Sequence, residues 1–74
     1  MKIIDINGKE RNVKSLKIIK HNVQDDRSGE IRTLDYVEAV LKGRNGNEWI
    51  EWYPLTEFKK LNPKRKVQKT DEYR

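Results

Sequence analysis

Two Asn-Gly pairs, Asn7-Gly8 and Asn45-Gly46, stand beside runs in which apolar and polar residues alternate, and no other feature limits the possible folds as much. Asn-Gly readily supplies the positive φ that a tight reversal needs, and a period of two gives each flanking strand one apolar face. Turn signals recur at the spacing of a β-meander. The chain is therefore expected to be mainly β.

The first strand, "KIIDI", reaches Asn7-Gly8, and "KERNV" runs back antiparallel. Two registers are open. A three-residue loop sets Asp5 opposite Arg11 and Ile3 opposite Val13, whereas a two-residue loop sets Asp5 against Glu10, so like-charge repulsion favours the longer loop. Residues 15 to 23, "SLKIIKHNV", read as a third strand whose apolar positions change parity between Ile18 and Ile19. That pattern predicts a bulge or bend, which fits a strand curving into a small barrel. "QDDRSGE" has the residues of a loop, and "IRTLDYVEAVLKG" resumes as a long fourth strand over 31 to 43. A helix over "LDYVEAVLK" competes, but its apolar residues at 34, 36, 37, 39, 40 and 41 wrap more than one helical face.

If Asn45 and Gly46 are the two central residues of a type I′ turn, 44 pairs with 47 and the rest of the ladder follows. Leu41 then opposes Ile50 and Ala39 opposes Trp52, with Val37 continuing an apolar row. The other face sets Lys42 against Trp49, Val40 against Glu51 and Glu38 against Tyr53, with Tyr36 beyond. A one-residue slip would carry glutamates onto the core face, so pattern and turn chemistry select the same register. Trp52 is the expected core tryptophan, and Tyr36, Trp49 and Tyr53 are the expected outer cluster. After Pro54, Leu55, Phe58 and Leu61 recur at intervals of three in "LTEFKKL", which predicts a short helix ended by Asn62-Pro63. Residues 1 to 61 are expected to form a single domain. Residues 62 to 74, with Val67 as their one aliphatic side chain, are expected to follow as a basic, flexible tail.

A chain of 74 residues buries only roughly 60% of the surface its unfolded form exposes, and with no cysteine neither a disulfide nor a thiolate metal site can supplement its core. The apolar runs are too short to span a bilayer as helices, and Met1-Lys2 leads into an apolar cluster broken at Asp5 rather than a signal-peptide core. The reading is a soluble cytoplasmic protein. Its net charge of +5 is unevenly placed. Residues 1 to 58 hold ten Lys/Arg and ten Asp/Glu, while 59 to 74 hold seven basic and two acidic side chains. Lys59, Lys60, Lys64, Arg65, Lys66 and Lys69 in "FKKLNPKRKVQK" can attract phosphate, because neutralised phosphates release condensed counterions. A solubilising, solvated tail is the other account of the same charge.

An N-terminal hairpin, three longer antiparallel strands and a short C-terminal helix resemble the SH3-like barrels, and the expected class is a small antiparallel barrel of about five strands. Over residues 1 to 61 the element order is most similar to the archaeal seven-kilodalton chromatin proteins, in which a triple-stranded sheet binds the DNA minor groove. That resemblance implies DNA contact through a basic sheet with intercalating apolar side chains. This body is instead neutral, and its expected outer face holds Glu38 and Glu51. The Lys- and Asn-rich style also resembles small phage or prophage proteins.

Catalytic chemistry is not expected. A nucleophile needs an adjacent base, and the one histidine, His21, sits among lysines without a strained elbow near Ser28. One imidazole builds no metal site, and "DDRSGE" lacks the alternating spacing of a calcium loop, so no metal and no cofactor are expected. Gly43 and Gly46 serve a turn rather than a phosphate loop. What remains is a non-catalytic binding module without a small-molecule substrate or a membrane. Its candidate contact residues are Tyr36, Lys42, Trp49 and Tyr53 on the sheet, with Lys59, Lys60, Lys64, Arg65, Lys66 and Lys69 beyond it. Nucleic acid is the first partner class, through basic tail and aromatic face. A protein partner, as for a phage-type inhibitor or adaptor anchored on Trp49 and Tyr53, is the alternative.

Overall fold

The computed structural model describes all 74 residues. Its elements are β1 (Lys2–Ile4), β2 (Glu10–Gln24), β3 (Ile31–Lys42), β4 (Glu48–Pro54), α1 (Leu55–Leu61) and β5 (Gln68–Tyr73). Strands β1 to β4 form an antiparallel meander in that order, and β5 returns beside β2 and parallel to it. The sheet curls into a half-barrel, so the fold is mainly β with one short helix, as the sequence predicts. "LDYVEAVLK" is strand throughout.

Both Asn-Gly pairs turn the chain, but each sits in a three-residue loop. In the first, the Asp5 N–H donates to the Lys9 carbonyl and the Gly8 N–H donates to the Asp5 carbonyl; in the second, Gly43, Asn47 and Gly46 repeat the pattern. Gly8 and Gly46 take φ of 77° and 80°, while no other residue type has positive φ. A type I′ turn would need positive φ at the asparagine too. The observed loop is the alternative in which a type I turn is followed by one left-handed glycine. The first loop has the expected longer length but consists of residues 6 to 8 instead of 7 to 9, so neither expected register occurs: Ile4 opposes Glu10 and Ile3 opposes Arg11. Asp5 is held in the loop instead, its Oδ1 accepting the N–H groups of Asn7 and Lys9, while Oδ2 meets Arg11 Nε at 2.9 Å.

One extra loop residue shifts the β3–β4 ladder by one, and this reverses the expected faces of β4. Leu41 opposes Trp49, Ala39 opposes Glu51, Val37 opposes Tyr53 and Glu38 opposes Trp52. Tyr53 is the buried aromatic, at 5% exposure, and Trp52 lies outside at 51%. The slip does carry Glu51 to the inner side, where it is only half-buried and accepts hydrogen bonds from Trp49 Nε1 and the Tyr53 hydroxyl.

The core fills the concave face with Ile3, Val13, Ile18, Val37, Ala39, Leu41, Tyr53 and, from α1, Phe58. In the β2–β3 ladder the bulge is at Lys14, between Val13 and Ser15, and the ladder is regular between Ile18 and Ile19, where the parity change predicts one; the irregularity at that level is in the β5 pairing, where Ile18 meets Lys69 and Lys20 meets Tyr73. An extra residue at 14 lets Val13 and Ile18 share the inner face despite their odd separation. Ile19 points the other way. It is nevertheless buried, because the outer face beside it is covered by Tyr36, Trp52 and Arg74.

Residues 62 to 74, expected as a flexible tail, are largely structured. Val67 packs against the core, and β5 pairs Gln68 with Lys17 and Lys69 with Ile18. The Thr70 hydroxyl donates to the Ile18 carbonyl at 2.6 Å, and the Arg74 N–H donates to the Lys20 carbonyl at 2.9 Å. Beyond this level the β2–β3 hairpin projects as a mostly exposed two-stranded arm, and the molecule is elongated, at 43 × 24 × 23 Å.

Candidate polyanion-binding site

The cationic segment begins on α1. Leu55, Phe58 and Leu61 turn one edge of the helix inward and Phe58 is fully buried, which leaves Lys59 and Lys60 outward in the last turn. Asn62 ends the helix, as predicted, and its side-chain amide is fixed on the backbone of Ile4. Arg65 donates to the Lys2 carbonyl, so the turn carrying Lys64, Arg65 and Lys66 is tied to β1. Lys59, Arg65 and Lys66 thereby line one hollow of about 410 Å³, together with Ile18, Leu55, Phe58 and Val67. No carboxylate lines it. Lys64 and Arg65 border the adjoining depression with Asn62 and Pro63. Of the six basic side chains singled out between 59 and 69, only Lys60 has a carboxylate partner, Glu57 at 3.8 Å.

The chemistry of this arrangement is simple. Several unneutralised ammonium and guanidinium groups surround a partly apolar floor, a surface that suits a polyanion carrying apolar or planar groups between its charges. The Arg65 guanidinium is a planar fork of the kind that pairs with oxyanions, and the lysines are point charges.

The outer sheet face has a different character. Glu38 is only 3% exposed, yet it is fully bonded: Oε1 accepts from Trp52 Nε1 at 3.1 Å and Arg74 Nε at 2.9 Å, and Oε2 lies 3.3 Å from Lys17 Nζ. The Arg74 hydrogen bond above all holds the Glu38 carboxyl below its ordinary range, against the opposing effect of burial. Lys17, raised chiefly by its bond to Glu72, completes the network. Around it Ile19, His21, Tyr36, Trp52 and Arg74 line a pocket of about 380 Å³, in which the His21 and Tyr36 rings meet edge to face and His21 Nδ1 contacts the Arg74 carbonyl. Trp52, Ile50, Leu34 and Val23 are exposed apolar side chains of this face.

The expected aromatic cluster is therefore dispersed. Tyr53 belongs to the core, where burial first and the Glu51 carboxylate second push its phenol up to about 12. Trp49 is on the inner side at the rim, beside Lys42, Gly43 and Arg44, while Tyr36 is on the outer face with Trp52. Lys42 stands opposite Glu48 rather than Trp49. The basic residues, by contrast, are brought together. Sequence reasoning missed Trp52 and Arg74 as outer-face residues; loop length was the only signal for the first, and nothing local marked the second.

No family model, no curated protein and no solved structure matches the chain. Nowhere do three or more His, Asp or Glu side chains converge as a set that could hold a metal ion, and no helix is long and apolar enough to cross a membrane.

Proposed function

We propose that the chain is a small non-catalytic binding module that engages nucleic acid through the segment from Lys59 to Lys69. The observation that carries this reading is the gathering of Lys59, Arg65 and Lys66, from helix and turn, around one hollow without a carboxylate. The body elsewhere pairs many of its charges internally, as in Lys2–Glu10, Lys14–Glu48 and Lys17–Glu38. Phosphates would lie on the cationic rim and bases against Leu55 and Val67, an arrangement that gives affinity without sequence readout. Because the segment is anchored by Asn62, Arg65 and β5, its charges are held in position before binding, which lowers the ordering cost. The test is fluorescence anisotropy with labelled single- and double-stranded oligonucleotides. Lys59→Ala/Arg65→Ala/Lys66→Ala should lose most of the affinity while Lys9→Ala/Arg27→Ala keeps it, and equal losses would refute the site.

A protein partner is the second reading, favoured by the exposure of Ile50, Trp52 and Leu34 on one sheet face. Trp52 replaces Tyr53 as its anchor, since Tyr53 is buried. Such a partner would be lost on Trp52→Ala and kept in the triple variant.

A further inference from the structure

We infer that β4 pairs with β4 of a second copy of this chain, antiparallel and about a two-fold axis through Ile50. Strand β4 is the end of the sheet, hydrogen-bonded to β3 on one side and to nothing on the other. The Gly43–Asn47 bond fixes which residues face that open edge. Antiparallel pairs alternate, so Trp49, Glu51 and Tyr53 exchange bonds with Leu41, Ala39 and Val37, while Glu48, Ile50 and Trp52 turn their N–H and C=O groups outward. An unprotected edge of this kind is a template for another strand.

The sequence of the strand says which strand fits. Glu48-Trp49-Ile50-Glu51-Trp52 is antisymmetric about Ile50. Paired with itself there, it sets Ile50 against Ile50, Glu48 against Trp52 and Trp49 against Glu51, so each carboxylate meets an indole and no like charges face each other. The outward-facing residues also meet outward-facing residues, which is the condition for backbone bonds across the axis. Centring on Glu51 would oppose two glutamates, and centring on Trp49 would run the ladder into the Arg44–Gly46 loop. On the Ile50 axis the pairing stops at Pro54, which has no N–H to give. Ile50 and Trp52, 47% and 51% exposed, and Trp49, 37% exposed, are the side chains such pairing would cover. The inference is independent of the nucleic-acid reading, since no residue between 59 and 69 takes part.

Sedimentation velocity of the full chain from about 10 µM to about 1 mM should show a monomer–dimer equilibrium. Residue 50 is half exposed, so Ile50→Lys and Ile50→Glu should each keep the circular dichroism of the fold and weaken self-association by about tenfold or more, through like charges at the axis. Mixing the two variants should restore dimers, as only a register that places residue 50 against itself would allow. A monomer throughout the range, self-association untouched by Ile50→Lys, or a dimer whose charge-reversed variants fail to pair would each overturn the inference.

Discussion

The side-chain amide of Asn62 clasps the backbone of Ile4 as a neighbouring strand would: Oδ1 accepts the Ile4 N–H at 2.7 Å and Nδ2 donates to the Ile4 carbonyl at 2.9 Å. These residues are 58 positions apart, and the contact joins the end of α1 to the outer edge of β1. One residue thus ends the helix, covers part of an edge strand and sets the angle at which Lys64 to Lys66 leave the body.

Removing that clasp leaves two backbone groups of Ile4 without partners. Asn62→Ala is expected to destabilise the protein by about 1–3 kcal/mol, the cost of unpaired, partly buried polar groups. Urea denaturation would measure it. A change below about 0.5 kcal/mol would mean that water replaces the amide and that the edge needs no cover.

The faces of β4 can be checked by truncation. Phe58→Ala, in the core at 1% exposure, should cost about 3–5 kcal/mol, whereas Trp52→Ala, half exposed, should cost well under half as much. Equal losses would show that Trp52 is a core residue after all.

The loop geometry makes a separate claim on residues 45 and 46. Gly46→Ala forces a Cβ into φ of 80° and should cost about 1 kcal/mol or more, although the space around it is open. Asn45 has no positive φ to support, so Asn45→Ala should cost only a few tenths of a kcal/mol. Comparable penalties at the two positions would restore the type I′ turn.

Stability should fall in acid, and Glu38 should account for part of the fall. Its folded-state pKa lies below the 4.5 of an unperturbed glutamate, mainly through Arg74, so as the pH drops the unfolded chain takes up this proton first. The stabilisation is complete above pH 4.5, declines as pH falls toward the folded-state value and is gone below it. In Glu38→Gln the proton uptake on unfolding below about pH 5 should be smaller than in the parent protein, by a fraction of a proton at each pH. Asp5 and Glu72, lowered by Arg11 and Lys17, keep a residual slope. An unchanged slope in Glu38→Gln would place the acid sensitivity elsewhere.

Salt dependence tests the cationic segment without knowledge of the natural ligand. If about four of its side chains contact phosphate, log K for a DNA duplex should fall against log salt with a slope near −3 to −4, and the Lys59/Arg65/Lys66 triple variant should lose about 2–3 of it. A full slope in the triple variant would assign the contacts to the other cations, such as Lys20, Arg32, Lys42 and Arg44.

Local patterning alone identified the strand segments of β1 to β4, although it divided β2 into two strands, together with the loops and the helix, because alternation, Asn-Gly pairs and Asn62-Pro63 act over a few residues. It also located the excess charge, which is a sum along the chain. The count of residues within a loop was not written in it. Asn-Gly is compatible with two-residue and three-residue loops, and a side-chain period of two turns that one residue into an exchange of Tyr53 for Trp52. The apolar pattern did not protect against the error, since the half-barrel tolerates Glu51 at its rim and buries Glu38 among Arg74, Lys17 and Trp52. Nor could composition distinguish a basic tail from a basic strand. Residues 68 to 73 are polar and show no apolar alternation, and they are ordered where the edge of β2 offers backbone partners and Lys17 offers an ion pair to Glu72. Which charges share a hollow, and which edge stays open, were settled by contacts between residues far apart in the chain.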